Sequence, residues 1–596
     1  MRNQPDREIF FSKEGTQWKG VTWKQYYETV KQLSLGLLEL GVQPGENVNL
    51  ISNTRLEWSA ADMAILGARA VTVPVYASNT PDETQYIIDH CEAKIVFVED
   101  NKQLEKVLSV RDRLPRVKKI IVFNMVGSPQ LANEKDVLSL SALRELGKRA
   151  SSPERFEQNL LAVKPTDIFT VCYTSGTTGV PKGVVLTHDA LMSELEDVDK
   201  MIAGQNNALE VGEGDRVLSF LPVSHIFGKI ESMAVYQFGW EVYYAESIEK
   251  LLMNMAEVSP TMLFAVPRVF EKAYNRIKAS IDESSPSKRK LFDWALGAGR
   301  AYYGKVWAGK KPSLLENAQY QLARKLVFSK VYAKFGGRVR FCVAGGAPLP
   351  REIGEFMRIV GLTILEGYGL TETCAAVTVN TLDNIKYGSI GKPLPEAAIK
   401  IADDGEILVK SRKVFREYYK NPEATREVLS TDGWFHTGDI GVIDDEGFVK
   451  ITDRKKDLIV TSGGKNVAPQ KIENLAKTHK YVSQFMVHGD KRNYLTALVV
   501  LEKEDVVKFA KEQNILFSEY TELVKNPKVQ GLVQKIVDEV NGKLASFETI
   551  KRFKILPNEF TIESGELTPS LKIRRRYCND KYRSELDSMY GASAPN

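Results

Sequence analysis

The stretch Tyr173-Thr174-Ser175-Gly176-Thr177-Thr178-Gly179-Val180-Pro181-Lys182-Gly183 constrains this chain more than any other. Three glycines, four Ser/Thr hydroxyls and one lysine fall within eleven residues. A β-prone run, Ile168 to Cys172, precedes it, and Val184-Val185-Leu186 follows, before a helix-like segment from Asp189. The order is strand, loop, strand, helix. Glycines let backbone N–H groups face an anion, hydroxyls add donors, and the lysine adds charge, which together suit a phosphate. The P-loop of nucleotide hydrolases is excluded: counted from Gly176, its second glycine falls on Pro181, and Gly183 stands where Ser or Thr is required. A surface turn of small residues is the alternative, at a high cost in backbone entropy.

At 596 residues the chain exceeds what one core supports, so two or more domains are expected. Its 81 basic and 76 acidic residues leave a net charge of +5, which gives no footprint for nucleic acid and is compatible with anionic substrates or a membrane surface. Cys91, Cys172, Cys342, Cys374 and Cys578 show no metal-type spacing and read as reduced, buried thiols. The opening residues Met1 to Asp6 lack the apolar core of a signal peptide. The best apolar run, Met63 to Ala77, is broken by Arg69 and Pro74, so no membrane span is expected. A cytoplasmic protein is the expectation.

Thr22 followed by helical spacing through Leu40 and a stop at Gly41 predicts a helix; Trp58 to Arg69 predicts another. Runs at 47–51, 71–76, 95–98 and 120–123 predict strands between helices, hence an α/β sheet. Residues 270–340 are long, helical and basic, and read as a helical insertion. It mixes lysines with aromatics, as in Lys305-Val306-Trp307-Ala308-Gly309-Lys310-Lys311, a composition suited to a solvated face or a membrane surface.

The 173–183 stretch, together with Glu366-Gly367-Tyr368-Gly369-Leu370-Thr371-Glu372 and Leu567-Thr568-Pro569-Ser570-Leu571-Lys572, resembles the adenylate-forming superfamily of acyl-CoA synthetases, luciferases and peptide adenylation domains. The likeness runs from about Gly20 to Arg576 and is greatest to bacterial long-chain fatty acyl-CoA synthetases. It implies an α/β fold with a large N-terminal domain of layered sheets and a distorted β-barrel, residues 1–453, and a small mobile α+β lid, residues 454–596. It implies a ligase joining a long-chain fatty acid to coenzyme A through an acyl-adenylate, with ATP and Mg²⁺. By this resemblance Thr174, Ser175, Gly176, Thr177, Thr178 and Lys182 cradle phosphate. Gly345, Gly346 and Ala347 pack on adenine, Tyr368 and Gly369 hold the base, and Thr371 meets phosphate. Glu372 is the Mg²⁺ ligand. Asp439 takes the ribose hydroxyls and Arg454 reaches ribose or phosphate. His225 and Phe227 lie on the acyl side, Lys572 is the adenylation lysine, Asp453 is the hinge, and Gly463-Gly464 lines the pantetheine tunnel. Glu417 departs from the pattern, which has glycine before Tyr418-Tyr419. Homodimers occur in the group and are compatible with this chain. A ligase for a medium-chain, aryl or other acid, and a noncatalytic acyl- or nucleotide-binding protein, stay open as alternatives.

Overall fold

The computed structural model describes residues 4–125, 135–174, 180–203, 210–562, 564–568 and 572–590. Ser175, Gly176, Thr177 and Thr178 therefore lie outside the described residues.

The predicted early strands form the heart of an eight-stranded sheet. Its order is Glu417–Tyr418, Lys182–Thr187, Ile168–Thr174, Val71–Val75, Asn47–Ile51, Ile95–Asp100, Lys119–Asn124 and Val137–Ser139. The strands from Val71–Val75 onward pair in parallel. They are buried on both faces, as in a sheet covered by helices. The helix Trp23–Glu39 starts where Thr22 and Gln25 form a capping box, which satisfies two otherwise orphaned N–H groups. Ile168–Thr174 and Lys182–Thr187 pair antiparallel, so the glycine stretch joins two adjacent strands at the sheet's end.

A second sheet of nine strands carries the later motifs. Its consecutive strands Arg216–Ser219, Met262–Ala265, Phe341–Ala344 and Ile364–Leu370 are parallel, and Ala375–Val379 turns back antiparallel. One core spans the two sheets. Inside it the Lys229 ammonium donates to both oxygens of Asp62, at 2.8 and 2.9 Å, with both side chains fully buried. The faces of Trp58 and Phe169 flank the same cation at 5.3 and 4.6 Å. Lys413 is likewise buried against Glu194 and Asp197 and bonds the Ala376 carbonyl. Removing either lysine would strand a buried carboxylate at about 3–5 kcal/mol.

The helical insertion is present as Pro267–Asp282, Pro286–Trp307 and Leu314–Ala323, with shorter turns to Ala333. Phe270, Tyr274, Phe292 and Phe328 pack it onto the second sheet through Leu263, Cys342 and Ile364. The distorted barrel corresponds to a four-stranded antiparallel sheet, Ala398–Ile401, Glu406–Lys410, Phe435–Ile443 and Val449–Arg454. The C-terminal part builds its own core from Ile459 onward, around the strands Val482–His488, Leu495–Leu501 and Ile550–Leu556.

The runs flanking Asp453 pair with other strands and not with each other. Val449–Arg454 pairs with Phe435–Ile443, and Ile459–Val460 pairs with Asn466–Val467. Asp453 is thus a buried strand residue. The chain after Asp587 is docked as far as Tyr590, whose hydroxyl donates to the His488 and Tyr494 carbonyls. All five cysteines are free and buried, as expected.

Candidate active site

A cleft of about 1450 Å³ lies where the two large sheets, the four-stranded sheet and the C-terminal part meet. Its polar end is built on one cross-strand pair. Asp439 on Phe435–Ile443 faces Arg454 on Val449–Arg454. Asp439 Oδ1 forms an ion pair with Arg454 Nε at 3.1 Å, and Oδ2 accepts from the Tyr368 hydroxyl at 2.6 Å. Asp439 is 3% exposed, so these bonds are made in a weakly screened setting. Each carboxylate oxygen keeps a second lone pair, which a vicinal diol can use. Burial and the Asp439 charge push the Tyr368 phenol well up. For Arg454 burial opposes the charge, but Asp439 and Asp457 outweigh it and hold the guanidinium protonated.

The wall beside this pair is the bulged end of Ile364–Leu370. The register slips between Tyr368 and Gly369, and a Cβ on Gly369 would sit 1.5 Å from the Ala375 carbonyl oxygen, so only glycine fits. The 3₁₀ turn Thr371–Thr373 follows, and Cys374 and Ala375 then adopt φ +51° and +87°. Backbone held in that region stores strain, which is common where side chains must be aimed. Here it presents Thr371 and Glu372 to the cleft. Glu372 Oε1 accepts from the Tyr418 hydroxyl at 2.7 Å, and Lys182 Nζ lies 5.0 Å over the Tyr418 ring. Lys182, Tyr418 and Glu372 thus form one row, with Thr174 at its sheet end. Glu417 pairs with Val185 on the edge strand and leaves this row intact.

Glu372 is a single half-buried carboxylate, and no group of three or more His, Cys, Asp or Glu gathers among the described residues. That donor set fits Mg²⁺ brought by a nucleotide, which keeps phosphate and water oxygens as its other ligands.

Gly345 and Gly346 line the cleft, with Gly346 at φ +83°. Ala347 is exposed at the outer end of that turn and does not reach the cleft. The turn is held from below by Glu366, which accepts from the Leu349 N–H at 3.0 Å; burial pushes its carboxyl up to about 8. His225 caps the helix Ile226–Phe238, accepting from the Phe227 N–H at 3.2 Å. Burial, helped by the Lys572 charge, pushes its imidazole down to about 4, so it is neutral. Phe227 lines the cleft next to it.

Lys572 enters this cleft from the C-terminal part. Its backbone N–H donates to the Thr568 hydroxyl, and the Thr568 N–H donates to its carbonyl. Burial first and Arg454 second push its ammonium down to about 8, against the pull of Asp439 and Glu372. Gly463 and Gly464 are exposed and lie outside the cleft.

Sequence reasoning missed Arg575. It lines the cleft three residues after Lys572 and donates to the Val487 carbonyl and to Glu473, each at 2.7 Å. The run Arg574-Arg575-Arg576 marked the region but not which arginine is tied to Glu473, and all three line the cleft. Glu231 and Trp240 in the apolar half were missed as well.

The family described as AMP-binding enzyme matches residues 1–419, and the AMP-binding enzyme C-terminal domain matches residues 456–594. The chain is similar to the long-chain-fatty-acid–CoA ligase FadD15 of Mycobacterium tuberculosis, 35% identical and covering 99% of this chain and 95% of that protein. Similarity to the peroxisomal long chain acyl-CoA synthetase 7 of Arabidopsis thaliana is 33% identity, covering 96% and 82%. In three dimensions the chain resembles the adenylation domain of a carboxylate reductase from Mycobacterium chelonae, with a TM-score of 0.77 at 22% identity, covering 99% and 89%. It also resembles the anthranilate CoA ligase AuaEII in complex with anthranoyl-AMP, with a TM-score of 0.70 at 19% identity, covering 98% and 96%. These two likenesses concern the fold.

The Lys572 ammonium is charged below about pH 8 and loses its proton above it. ATP affinity, measured by equilibrium dialysis, should fall as pH rises through that value in the wild type. In Lys572→Arg, which stays charged, that limb should vanish. An unchanged limb in the variant would assign it to another group.

Proposed function

The chain belongs to the AMP-binding enzyme family, and on that footing we propose that it is an ATP-dependent ligase joining a long-chain fatty acid to coenzyme A. The observation that carries this is Lys572 standing in one cleft with the Asp439–Arg454–Tyr368 set at one end and an apolar wall beyond His225 at the other.

Activating a carboxylate requires turning one of its oxygens into part of a good leaving group. The carboxylate oxygen attacks the α-phosphorus of ATP, a P–O bond forms, pyrophosphate departs, and an acyl-adenylate results. Asp439 and Tyr368 hold the nucleoside, Arg454 and Lys572 face the reacting phosphate, and Lys182 with Thr174 takes the leaving phosphates. Glu372 and Thr371 are the residues to hold Mg²⁺, which when bound offsets phosphate charge. Fixed donors in a closed cleft favour the charge-separated transition state without reorganising, and losing one costs about 10²–10³ in rate. His225, neutral and capped, leaves the acid's carboxylate its charge.

In the second step the coenzyme A thiol attacks the acyl carbon, a C–S bond forms, and AMP leaves. The lysine that served the first step blocks the approach. The C-terminal part therefore turns about Asp453, withdrawing Lys572 and bringing Gly463-Gly464 to the cleft. Asp453 suits a pivot: its Oδ1 accepts from the Arg454 N–H, whereas buried Oδ2 has no hydrogen-bond partner among the described residues, and burial pushes the carboxyl up to about 7.

Helices Pro286–Trp307 and Leu314–Ala323 add a membrane contact. At their shared tip Leu314 is 91% and Leu315 68% exposed, flanked by Lys305, Lys310 and Lys311. Apolar side chains within a basic rim suit an anionic bilayer, where such acids partition.

Pyrophosphate release with ATP, Mg²⁺ and a ladder of carboxylic acids, with and without coenzyme A, should peak at long unbranched chains and turn over continuously only with coenzyme A. A maximum at short, aromatic or amino acids would overturn the substrate. For the tip, sedimentation with phosphatidylglycerol vesicles should be lost in Leu314→Glu/Leu315→Glu and at high salt. Equal sedimentation with phosphatidylcholine, or none with either, would remove the contact.

A further inference from the structure

Two residues beyond Asp453 the chain makes an ion pair back onto the four-stranded sheet. Lys455 Nζ donates to Asp404 Oδ2 at 2.6 Å and to Glu406 Oε2 at 3.0 Å. Asp404 lies in the turn between Ala398–Ile401 and Glu406–Lys410, and Glu406 opens the second of these strands. The Lys455 backbone N–H donates to the Gly438 carbonyl at 2.8 Å, and the Gly438 N–H donates to Glu406 Oε1 at 2.8 Å. Lys455 and Glu406 thus clasp Gly438 from both sides, next to Asp439. Glu406, His436, Gly438 and Lys455 all line the cleft.

This pair differs from an ordinary surface pair in two ways. The Glu406 side chain is 6% exposed, while Lys455 and Asp404 are half exposed, so one of the three charges is weakly screened. Asp404 first and Glu406 second strengthen the hold of the ammonium on its proton. The pair also spans the pivot. Asp404, Glu406 and Gly438 belong to the large body, whereas Lys455 follows Asp453 by two residues, about 7 Å of chain. A turn about Asp453 carries the ammonium off both carboxylates. They are not left bare: Asp404 Oδ1 keeps the Glu406 N–H at 3.1 Å. Glu406 keeps the Gly438 N–H and has His436 Nδ1 at 3.2 Å from its Oε2. The pair therefore biases the C-terminal part without locking it.

We propose that Lys455 is a positioning residue for adenylate formation: its pair with Asp404 and Glu406 holds the C-terminal part where Lys572 stands in the cleft, and opposes the turn that thioester formation needs. The inference rests on the two-step ligase reading above, with Asp453 as the pivot. Where one equilibrium of the C-terminal part feeds both steps, adenylate formation is proportional to the fraction in this orientation and thioester formation to the fraction turned away. The ratio of the two rates then follows that equilibrium directly, whatever the populations. A change that only loosened the protein would slow both steps and leave their ratio alone.

The test measures two single-turnover rates: adenylate formation from ATP and acid, and thioester formation from supplied acyl-adenylate and coenzyme A. In Lys455→Met the ratio of thioester to adenylate rate should rise about fivefold, the worth of one partly exposed ion pair. Asp404→Asn, made on the other side of the pivot, should move the ratio the same way. The two changes together should go no further than Lys455→Met alone, since they remove one interaction. Lys455→Arg, which keeps the charge, should stay near the wild type. Orientation is read without activity from the distance between nitroxide labels on Leu161→Cys in the large body and Leu516→Cys in the C-terminal part; both sites are exposed and the five native cysteines are buried. A second distance should gain weight in the order wild type, Lys455→Met, Lys455→Glu. The proposal falls if the ratio is unchanged or drops in Lys455→Met, or if Lys455→Glu leaves the distances as they are. If the wild type forms no adenylate with any acid, the ligase reading fails; a distance response would then still support the pair as the restraint on the C-terminal part, and none would sink both.

Discussion

Arg454 and Lys572 meet in one cleft, and the site is arranged around the repulsion between them. Arg454 belongs to the four-stranded sheet and keeps its charge because Asp439 answers it directly. Lys572 comes from the C-terminal part and has no such fixed counter-charge, so burial and Arg454 together weaken its hold on its proton. A cation in that position is held poorly by the surrounding protein groups and would be held well by a polyphosphate. The resting protein is thus set to take a nucleotide, and the same imbalance favours release of the lysine once pyrophosphate has left.

The attachments of the C-terminal part suit that release. Across to the helix Pro267–Asp282 and its end run Arg268 to Ser483 and Glu502, Lys480 to Asp282, and Lys508 to Glu283. Exposed ion pairs of this kind contribute roughly 0–1 kcal/mol each. By contrast, the pairs inside the large body, Lys229–Asp62 and Lys413 with Glu194 and Asp197, are buried. Breaking one of those would cost about 3–5 kcal/mol. Strong bonds lie within the large body and weak ones across to the lid. That ordering suits the proposed turn of the C-terminal part, in which Tyr368, Asp439 and Glu372 stay fixed.

Much of this was legible in the sequence where one residue's local physics decides the outcome. Thr22 with Gln25 predicts a capped helix, and β-branched runs between helices predict the parallel sheet. The glycine at 369 marks a place where backbone must approach backbone. Legibility failed where tertiary packing chooses between similar residues. Asp453 stands in a charged stretch of sequence, but as the strand partner of Ile440 it is buried. Ala347 sits in the right motif, yet the turn carries it outward. Which of three consecutive arginines is anchored depends on the Val487 carbonyl and Glu473, far away in sequence. Glu231 looks like an ordinary helix acid until the stripe it belongs to is seen to face a cavity.

The measurement that bears most directly on this account is a single-turnover comparison of the two half-reactions in Lys572→Ala. Acyl-adenylate formation from ATP and acid should fall by about 10²–10³. Thioester formation from supplied acyl-adenylate and coenzyme A should stay near the wild-type rate, because the lysine is out of the cleft in that step. Equal loss in both half-reactions would contradict the division of labour between the fixed body and the moving lysine.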